Sequence, residues 1–330
     1  MRYRALGKTD IQLPVVSFGA WAIGGWMWGG TDDDAAIRAI HAAIDHGVVC
    51  IDTAPIYGMG HSESVVGKAV ADRRDKALIA TKCGLRWDAD EGQFFFERMD
   101  DDNQPARIYR NLRPASVRAE CEASLRRMNV DHIDLYQCHW PDETTPVSDT
   151  ISVLLQLQQE GKIRAIGVSN FSTAMMAECL EHGRIESDQP KYNALDRKIE
   201  ADILPFCREH DLSVLAYSPI EQGLLSGRVV PDREFKEGDQ RSDKPLFSRE
   251  NRVKILDMLE SLRPVAEAHD ATFTQLFIAW VIAQPGITTA LVGARTDEQA
   301  IENAAAGDIV LSDAEAATVR DAVTAIELNR

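Results

Sequence analysis

The feature that most constrains the fold is an alternation of short apolar segments with helix-like segments, which begins at Val15 and continues towards the C-terminus. The apolar segments have the length and composition of buried strands. They predict strands near residues 15–20, 48–52, 77–82, 133–139, 163–168, 187–192, 213–217 and 289–293. About eight strand–helix pairs in succession predict an α/β fold, a (β/α)8 TIM barrel of parallel strands surrounded by helices.

The intervening segments carry helix signals at their ends. Pro114 suits a first helical turn, and Gly47, Gly161 and Gly183 lie where helices would end. Helices are predicted near residues 32–46, 62–73, 114–129, 147–160, 172–182, 199–210, 251–269 and 297–306, with further helices at 272–284 and 313–328. Before the barrel, two short runs flank Gly7-Lys8-Thr9-Asp10 and predict an N-terminal β-hairpin.

Length and composition favour a single domain that spans residues 1–330, because no Pro/Gly/Ser-rich linker divides the chain. With 45% hydrophobic residues, the chain has enough apolar side chains for a sizeable core. Its formal net charge of −16 argues against a nucleic-acid-binding surface, which needs a basic face. A local basic pocket remains compatible with this charge.

Targeting signals are not evident in the sequence. Polar residues follow Met1-Arg2-Tyr3-Arg4, no apolar run is long enough to cross a bilayer, and the six cysteines are scattered. We therefore expect a cytoplasmic protein with free, packed thiols and no membrane partner. The sequence does not define the oligomeric state.

Polar residues cluster where the predicted strands end. Asp52 ends the second strand, with Tyr57 on the loop behind it, Lys82 ends the third strand and His139 ends the fourth. Later strands end at Ser169-Asn170, Gln189 and Tyr217-Ser218. Because a parallel barrel presents the carboxyl ends of its strands on one face, we expect these side chains to form one active site there.

These motifs, in this order, resemble the aldo-keto reductase family over nearly the whole chain. They are Ile51-Asp52-Thr53-Ala54 with Tyr57-Gly58, Ala80-Thr81-Lys82, Asp134-Leu135-Tyr136-Gln137-Cys138-His139, Gly167-Val168-Ser169-Asn170-Phe171, Gln189 with Tyr192-Asn193, and Tyr217-Ser218-Pro219. The resemblance is to the bacterial aldehyde reductase branch, which includes general-stress and inositol-catabolism proteins and is related to potassium-channel beta subunits.

The resemblance implies a catalytic tetrad of Asp52, Tyr57, Lys82 and His139. Tyr57 would give a proton to the carbonyl oxygen, and a nearby Lys82 ammonium would lower the pKa of its phenol. Asp52 would hold Lys82, and His139 would orient the carbonyl. The resemblance also implies substrate contacts from Trp21, Tyr57, Trp87, His139 and Trp140.

The same resemblance implies a nicotinamide cofactor that supplies the hydride. Ser169, Asn170 and Gln189 would bind its carboxamide, and Tyr217 would stack on its ring. Gly223 to Arg228 resembles the pyrophosphate clamp of the family, and Gly293 to Asn303 its adenosine site. The full predicted cofactor set is Ala20, Trp21, Asp52, Ser169, Asn170, Gln189, Tyr217, Ser218, Pro219, Ile220, Gly223, Leu224, Gly227, Arg228, Gly293, Ala294, Arg295, Gln299, Glu302 and Asn303.

Arg295 leads us to predict NADP(H), with NAD(H) less favoured. An arginine beside a helix start suits a 2′-phosphate, although Gly293-Ala294 stands where many relatives carry Lys-Ser. The predicted reaction is reduction of aldehydes or ketones to alcohols, or oxidation of sugar- or inositol-type alcohols in reverse. The small carbonyl or polyol substrate would be selected by the long connection 83–113, which contains Trp87 and Phe94-Phe95-Phe96.

The sequence leaves two alternative functions open. A reductase-like regulatory subunit would bind cofactor with little turnover, and a barrel hydrolase would require metal. No metal-binding motif is evident, since the eight histidines do not cluster. A Rossmann site is disfavoured because Glu63 stands where the third glycine belongs, and a nucleophile elbow because Phe171 replaces its last glycine.

Overall fold

The computed structural model describes residues 1–100 and 104–330, which contain thirteen strands. In chain order they are β1 (Tyr3–Ala5), β2 (Gln12–Pro14), β3 (Val16–Gly19), β4 (Cys50–Asp52), β5 (Leu78–Cys83), β6 (Leu85–Arg86), β7 (Gln93–Met99), β8 (Pro105–Arg110), β9 (Ile133–Cys138), β10 (Ile163–Ser169), β11 (Ser187–Gln189), β12 (Ser213–Tyr217) and β13 (Ile287–Gly293). Strands β1 and β2 pair antiparallel, which confirms the predicted hairpin.

Eight parallel strands close into a barrel in the order β3-β4-β5-β9-β10-β11-β12-β13, with β13 pairing back to β3. Their register aligns Gly19 with Asp52, and Asp52 with Ala80, so the carboxyl ends of these strands lie at one rim. The predicted (β/α)8 barrel is therefore confirmed.

Helices surround the barrel. They are α1 (Asp33–Asp45), α2 (His61–Val70), α3 (Pro114–Met128), α4 (Val147–Gln159), α5 (Thr173–His182), α6 (Ile203–Glu209), α7 (Arg249–Ser261), α8 (Arg263–Glu267), α9 (Phe273–Ala283), α10 (Asp297–Ala305) and α11 (Asp313–Thr324). The helix predicted over 251–269 is divided between α7 and α8. Pro264 lies in the first turn of α8 and has no N–H to continue the hydrogen-bond ladder of α7.

One end of the barrel is closed by apolar packing. Leu6, Ile11 and Leu13 from the hairpin region pack with inward-facing Cys50, Ala80, Leu135, Ala165, Leu215 and Leu291. This plug fills the amino-terminal end, so the cavity opens at the opposite rim, where the strands end. All six cysteines are buried and free, in agreement with the sequence prediction.

The predicted connection 83–113 forms a small antiparallel sheet in the order β6-β8-β7, and its residues 101–103 lie outside the described part of the chain. The sequence did not predict these strands, because three consecutive phenylalanines hide any alternation. The pairing itself shifts register between Phe94 and Phe96. An Arg98–Asp243 ion pair at 3.2 Å joins this sheet to the second long connection, 220–250.

The second connection contains three short 3-10 segments, Glu221–Ser226, Gln240–Asp243 and Pro245–Phe247. Like the small sheet, it lies beside the rim where the barrel strands end, because both connections contribute residues to the cavity there. Among the described residues, no helix is long and apolar enough to cross a membrane.

Candidate active site

Lys82 lies at the centre of a buried polar cluster at the barrel rim. Its Nζ donates to Asp52 Oδ1 at 2.6 Å, to the carbonyl oxygen of Thr53 at 2.8 Å and to Tyr57 Oη at 3.2 Å. Lys82 is fully buried, so these three bonds satisfy all the donors of an ammonium that water does not reach. Three residues of the predicted tetrad are therefore in direct contact.

The loop that carries Tyr57 is fixed by a close backbone approach. Gly58 has φ +66°, and a Cβ on it would collide with the carbonyl oxygen of Gly24. Ser62 Oγ bonds both the Ala20 carbonyl oxygen at 2.9 Å and Thr53 Oγ1 at 2.8 Å. These contacts hold the loop against the first barrel strand and set the position of Tyr57.

The environment sets the protonation of the phenol and ammonium. Burial raises the pKa of Tyr57 above its usual 10.0, although Lys82 acts in the opposite direction. The sequence predicted only the lowering by Lys82, and the desolvation of the phenol exceeds it. For Lys82, burial lowers the pKa, but Asp52 and Tyr57 outweigh burial and raise it above 10.5. The neutral phenol and the ammonium are thus the resting forms.

His139 completes the cluster from the end of β9. Its ring lies 5.7 Å from the Tyr57 ring, centroid to centroid, in an edge-on arrangement. Burial, with a contribution from Lys82, holds the pKa of His139 well below its usual 6.5. The imidazole is therefore neutral near pH 7 and has one N–H to donate.

Two glutamine amides hold the other oxygen of Asp52. Gln189 Nε2 donates to Oδ2 at 2.9 Å, and Gln137 Nε2 donates to it at 3.2 Å. From the sequence, Gln189 is predicted to bind the cofactor and Gln137 has no predicted role. The signal was present, because Gln137 precedes His139 by two residues and so shares its face of the strand.

An aromatic wall surrounds Tyr57. Trp21 stacks on it with centroids 6.0 Å apart, and the predicted substrate residue Trp140 also lines the cavity. Phe95 and Phe96 of the small sheet extend the wall. Trp87, also predicted to contact substrate, packs into the apolar cluster around this wall and does not line the cavity.

From this wall a cavity of about 450 Å³ runs across the rim to α10. Most residues predicted from the sequence for the cofactor line it: Trp21, Asp52, Ser169, Asn170, Gln189, Tyr217, Ser218, Pro219, Ile220, Gly223, Arg228, Gly293, Ala294, Arg295, Gln299, Glu302 and Asn303. Ala20, Leu224 and Gly227 lie outside this lining. Lys82 also lies outside it, beneath Tyr57.

Polar groups in the middle of the cavity are linked to one another. Ser169 Oγ donates to the Gln189 carbonyl oxygen at 2.7 Å, and Asn170 Nδ2 donates to Ser169 Oγ at 2.9 Å. Tyr217 Oη donates to Asn170 Oδ1 at 3.0 Å. This arrangement gives an amide-rich surface next to the tetrad.

The far end of the cavity is rich in arginine. Arg228 bonds Glu302 at 2.8 Å, and Arg295 donates to the carbonyl oxygen of Trp28 at 2.8 Å. Arg233 and Arg241 also line the cavity. The sequence places Arg241 in the connection 220–250, which we expected over this rim, but neither arginine has a predicted role, because that connection has no recognisable motif around them.

This donor set fits an elongated ligand with an amide at one end and phosphates at the other. The amide-rich surface lies beside the tetrad, and four arginines lie at the far end of a cavity in a chain of net charge −16. Arginine is the side chain best suited to bidentate phosphate binding. By contrast, no group of three His, Cys, Asp or Glu residues within 1–100 and 104–330 is placed to hold a metal ion.

Comparisons with known proteins agree with this geometry. The chain is 40% identical over 333 residues to the NADH-specific methylglyoxal reductase of Escherichia coli (strain K12), covering 99% of this chain and 100% of that protein. The structure of a glycerol dehydrogenase from Gluconobacter oxydans is 41% identical with a TM-score of 0.87, covering 98% of this chain and 95% of that one.

A more distant aldo-keto reductase from Klebsiella pneumoniae, solved in complex with NADPH, is 30% identical with a TM-score of 0.71. That match covers 97% of this chain and 95% of the other. Residues 15–324 match the Aldo/keto reductase family as a whole. The chain therefore belongs to the aldo/keto reductase family.

Proposed function

We propose that this protein reduces small aldehydes and ketones to alcohols with NADPH, and that Tyr57 is the proton donor. The observation that carries the proposal is the contact of Lys82 with both Asp52 and Tyr57 beneath the wall of the cavity. A neutral phenol in contact with a buried ammonium can release a proton and leave a stabilised phenolate.

The residues of this chain account for the proton side of the reaction. A bound reduced nicotinamide would supply the hydride to the carbonyl carbon. As that C–H bond forms, the electrons of the C=O π bond move to oxygen, which takes the proton from Tyr57 Oη. The neutral His139 ring would donate a hydrogen bond to the same oxygen and orient it.

The resting protonation states favour this direction. Because burial raises the pKa of Tyr57, the phenol is protonated at neutral pH and is ready to act as an acid. Lys82 Nζ, 3.2 Å from Tyr57 Oη, would stabilise the negative charge that develops on the phenolate as its proton leaves, and this attraction is stronger in a buried site than in water. In the reverse direction the phenolate would accept the proton of an alcohol.

The residues that would hold the cofactor follow from the cavity. Ser169, Asn170 and Gln189 would bind the carboxamide, and Tyr217 would stack on the ring. Arg228, Arg233 and Arg241 would bind the pyrophosphate, and Arg295 the 2′-phosphate that distinguishes NADPH.

NADH is the second candidate cofactor. The Glu302 carboxylate lines the same end of the cavity and accepts from Arg228. A carboxylate there suits a free ribose hydroxyl and repels a 2′-phosphate. The name of the Escherichia coli relative also favours this candidate.

The aromatic wall suggests the substrate class. The wall is aromatic, and it consists of Trp21, Trp140, Phe95 and Phe96. The polar groups nearest to this wall are Tyr57 and His139, so the reacting carbonyl would be the main polar part of a small substrate. We also propose that residues 1–330 act as one catalytic domain.

A turnover screen tests the proposal. Short aldehydes, dicarbonyls including methylglyoxal, sugars and inositols are assayed with NADPH and NADH that carry deuterium at the transferable position. We expect deuterated alcohol product from at least one aldehyde or dicarbonyl. Tight cofactor binding with no turnover on any substrate would instead support a regulatory subunit.

A further inference from the structure

The Asp52 carboxylate accepts hydrogen bonds from two side chains outside the tetrad as well as from Lys82. Oδ1 faces Lys82, whereas Oδ2 accepts from the amides of Gln137 and Gln189, at 3.2 Å and 2.9 Å. Gln189 Nε2 also donates to Gln137 Oε1 at 3.2 Å. A carboxylate only accepts hydrogen bonds, so these contacts fix the orientation of both amides.

The two glutamines differ in what else they can reach. Gln189 lines the cavity, on the side where the proposed cofactor would bind, whereas Gln137 does not. Gln137 is fully buried within the barrel and is aligned with Lys82 on the neighbouring strand. A ligand in the cavity can therefore compete with Asp52 for the amide of Gln189, whereas the amide of Gln137 does not face the cavity.

Gln137 is closely packed against the next barrel strand. Its neighbour on the other side is Gly167, to which it is aligned in register. A Cβ at Gly167 would approach Ser187 Oγ to 2.5 Å and the Cγ of Gln137 to 3.0 Å. Glycine at this position therefore leaves room for both of these side chains.

We propose that Gln137 is a positioning residue that keeps the Asp52 carboxylate in place, and through it Lys82, when Gln189 turns to bind a ligand. This inference rests on the proposed function, because the role of Lys82 in turnover is part of that proposal. In the free protein Gln189 shares the task. In the complex with cofactor and substrate, Gln137 holds Oδ2 alone.

The test is a double-mutant cycle on turnover. Gln137→Met keeps the length of the side chain and removes its amide. We expect kcat to fall about 10- to 100-fold, the effect of one lost hydrogen bond to a charged group, with KM for the carbonyl little changed. In an Asp52→Asn background, adding Gln137→Met should change kcat by less than about 2-fold, because the two residues act as one unit.

A matched control separates the effect of misplacing Asp52 from the effect of a general loss of stability. Gln284 is also buried and donates from Nε2 to the Trp280 carbonyl oxygen at 2.8 Å, but it lies far from Asp52 in the chain and has no contact with it. Gln284→Met should lower stability to a similar degree and leave kcat unchanged. If Gln137→Met does not fold, Gln137→Asn replaces it, because its shorter side chain keeps an amide that no longer reaches Oδ2.

The outcomes distinguish this inference from the proposed function. A wild type that turns over no carbonyl contradicts both. An active wild type whose Gln137→Met or Gln137→Asn variant keeps a normal kcat contradicts only the inference. Equal losses of kcat in the wild-type and Asp52→Asn backgrounds would likewise overturn it, because Gln137 would then act independently of Asp52.

Discussion

The two ends of the cavity are built differently. At the tetrad end, Asp52, Lys82 and His139 lie on or directly after barrel strands, and hydrogen bonds of 2.6 and 3.2 Å connect Lys82 to Asp52 and Tyr57. At the arginine end, Arg228, Arg233 and Arg241 lie in a long connection. A rigid frame therefore positions the proposed chemistry, while a more irregular segment contributes the charges that suit phosphates.

The difference suggests a division of labour. Substitutions at the tetrad end should reduce the rate of the chemical step and the stability of a buried network. Substitutions at the arginine end should change cofactor affinity and leave the chemical step of the bound complex intact.

Lys82→Met should be the most damaging of these changes. It leaves Asp52 buried without its cation, which we expect to lower the free energy of unfolding by about 3–5 kcal/mol. It also removes the group that stabilises the Tyr57 phenolate, so kcat should fall about 10²–10⁴-fold. Because Lys82 lowers the pKa of Tyr57, the basic limb of any residual pH–rate profile should move to higher pH.

Denaturant titrations and pH-dependent turnover measure these effects. Lys68→Met is the matched control, since the Lys68 side chain is 64% exposed and should tolerate the same replacement. A Lys82→Met protein with normal stability and an unmoved basic limb would mean that the lysine has no role at this end.

Glu120→Gln should stabilise the protein at neutral and alkaline pH. Burial raises the pKa of Glu120 from 4.5 to about 7, although its carboxylate accepts from the Gly84 N–H at 3.0 Å, where the small sheet begins. Below the pKa of the unfolded state, about 4.5, the carboxyl is protonated in both states, so its burial costs no charge desolvation. As pH rises from about 4.5 through about 7, the wild type loses stability that the glutamine variant keeps.

At pH values above about 7, the glutamine variant should have a free energy of unfolding higher by on the order of 3 kcal/mol, which follows from the size of the pKa shift. Unfolding free energies of both proteins at about pH 5 and about pH 8 measure it, and contributions from other groups cancel in the difference. A stability difference that does not change with pH would show that Glu120 titrates normally.

Arg295→Ala should weaken NADPH binding by about 1.5–3 kcal/mol, the range of a charge-assisted hydrogen bond, with NADH hardly affected. Isothermal titration of both cofactors measures the difference. Arg249→Ala removes an exposed arginine that pairs with Asp232, and serves as the control. Equal weakening of both cofactors, or a wild type that prefers NADH, would contradict the proposed role of Arg295.

Phe96→Ala should have the smallest effect. Phe96 lines the cavity, whereas Phe94 on the same strand is 51% exposed, so Phe94→Ala is its matched control. We expect Phe96→Ala to change the ratio of KM values between a small and a bulky aldehyde on the order of tenfold, without changing NADPH affinity. Parallel changes in both variants would mean that the sheet has only a structural role.

The contrast between the two ends also explains what the sequence could predict. A residue such as Asp52 or Lys82 follows an apolar run, and parallel strands bring their ends to one rim whatever the loops do. The barrel and the positions of these residues at its rim could therefore be inferred from the sequence alone. The spacing of Gln137 to His139 indicates the face of the strand on which it lies, but not its contacts, because these depend on the register of β9 against β5.

Residues in the long connections were harder to predict. Arg241 reaches the cavity because Asp239 holds its guanidinium at 2.6 Å and its neighbour Gln240 donates from its backbone N–H to the Met27 carbonyl oxygen. Such tertiary contacts leave no periodic pattern in the sequence. The small sheet was missed for a related reason, since its strands pair only with each other and contain adjacent aromatic residues.

Single-turnover kinetics of Tyr57→Phe provide the most direct test of the central claim. The variant is saturated with NADPH, mixed with an aldehyde that the wild type reduces, and followed by loss of the reduced nicotinamide absorbance. Our account predicts a rate about 10²–10⁴-fold below that of the wild type, with the same Kd for NADPH. A Tyr57→Phe rate equal to that of the wild type would contradict the claim that Tyr57 donates the proton.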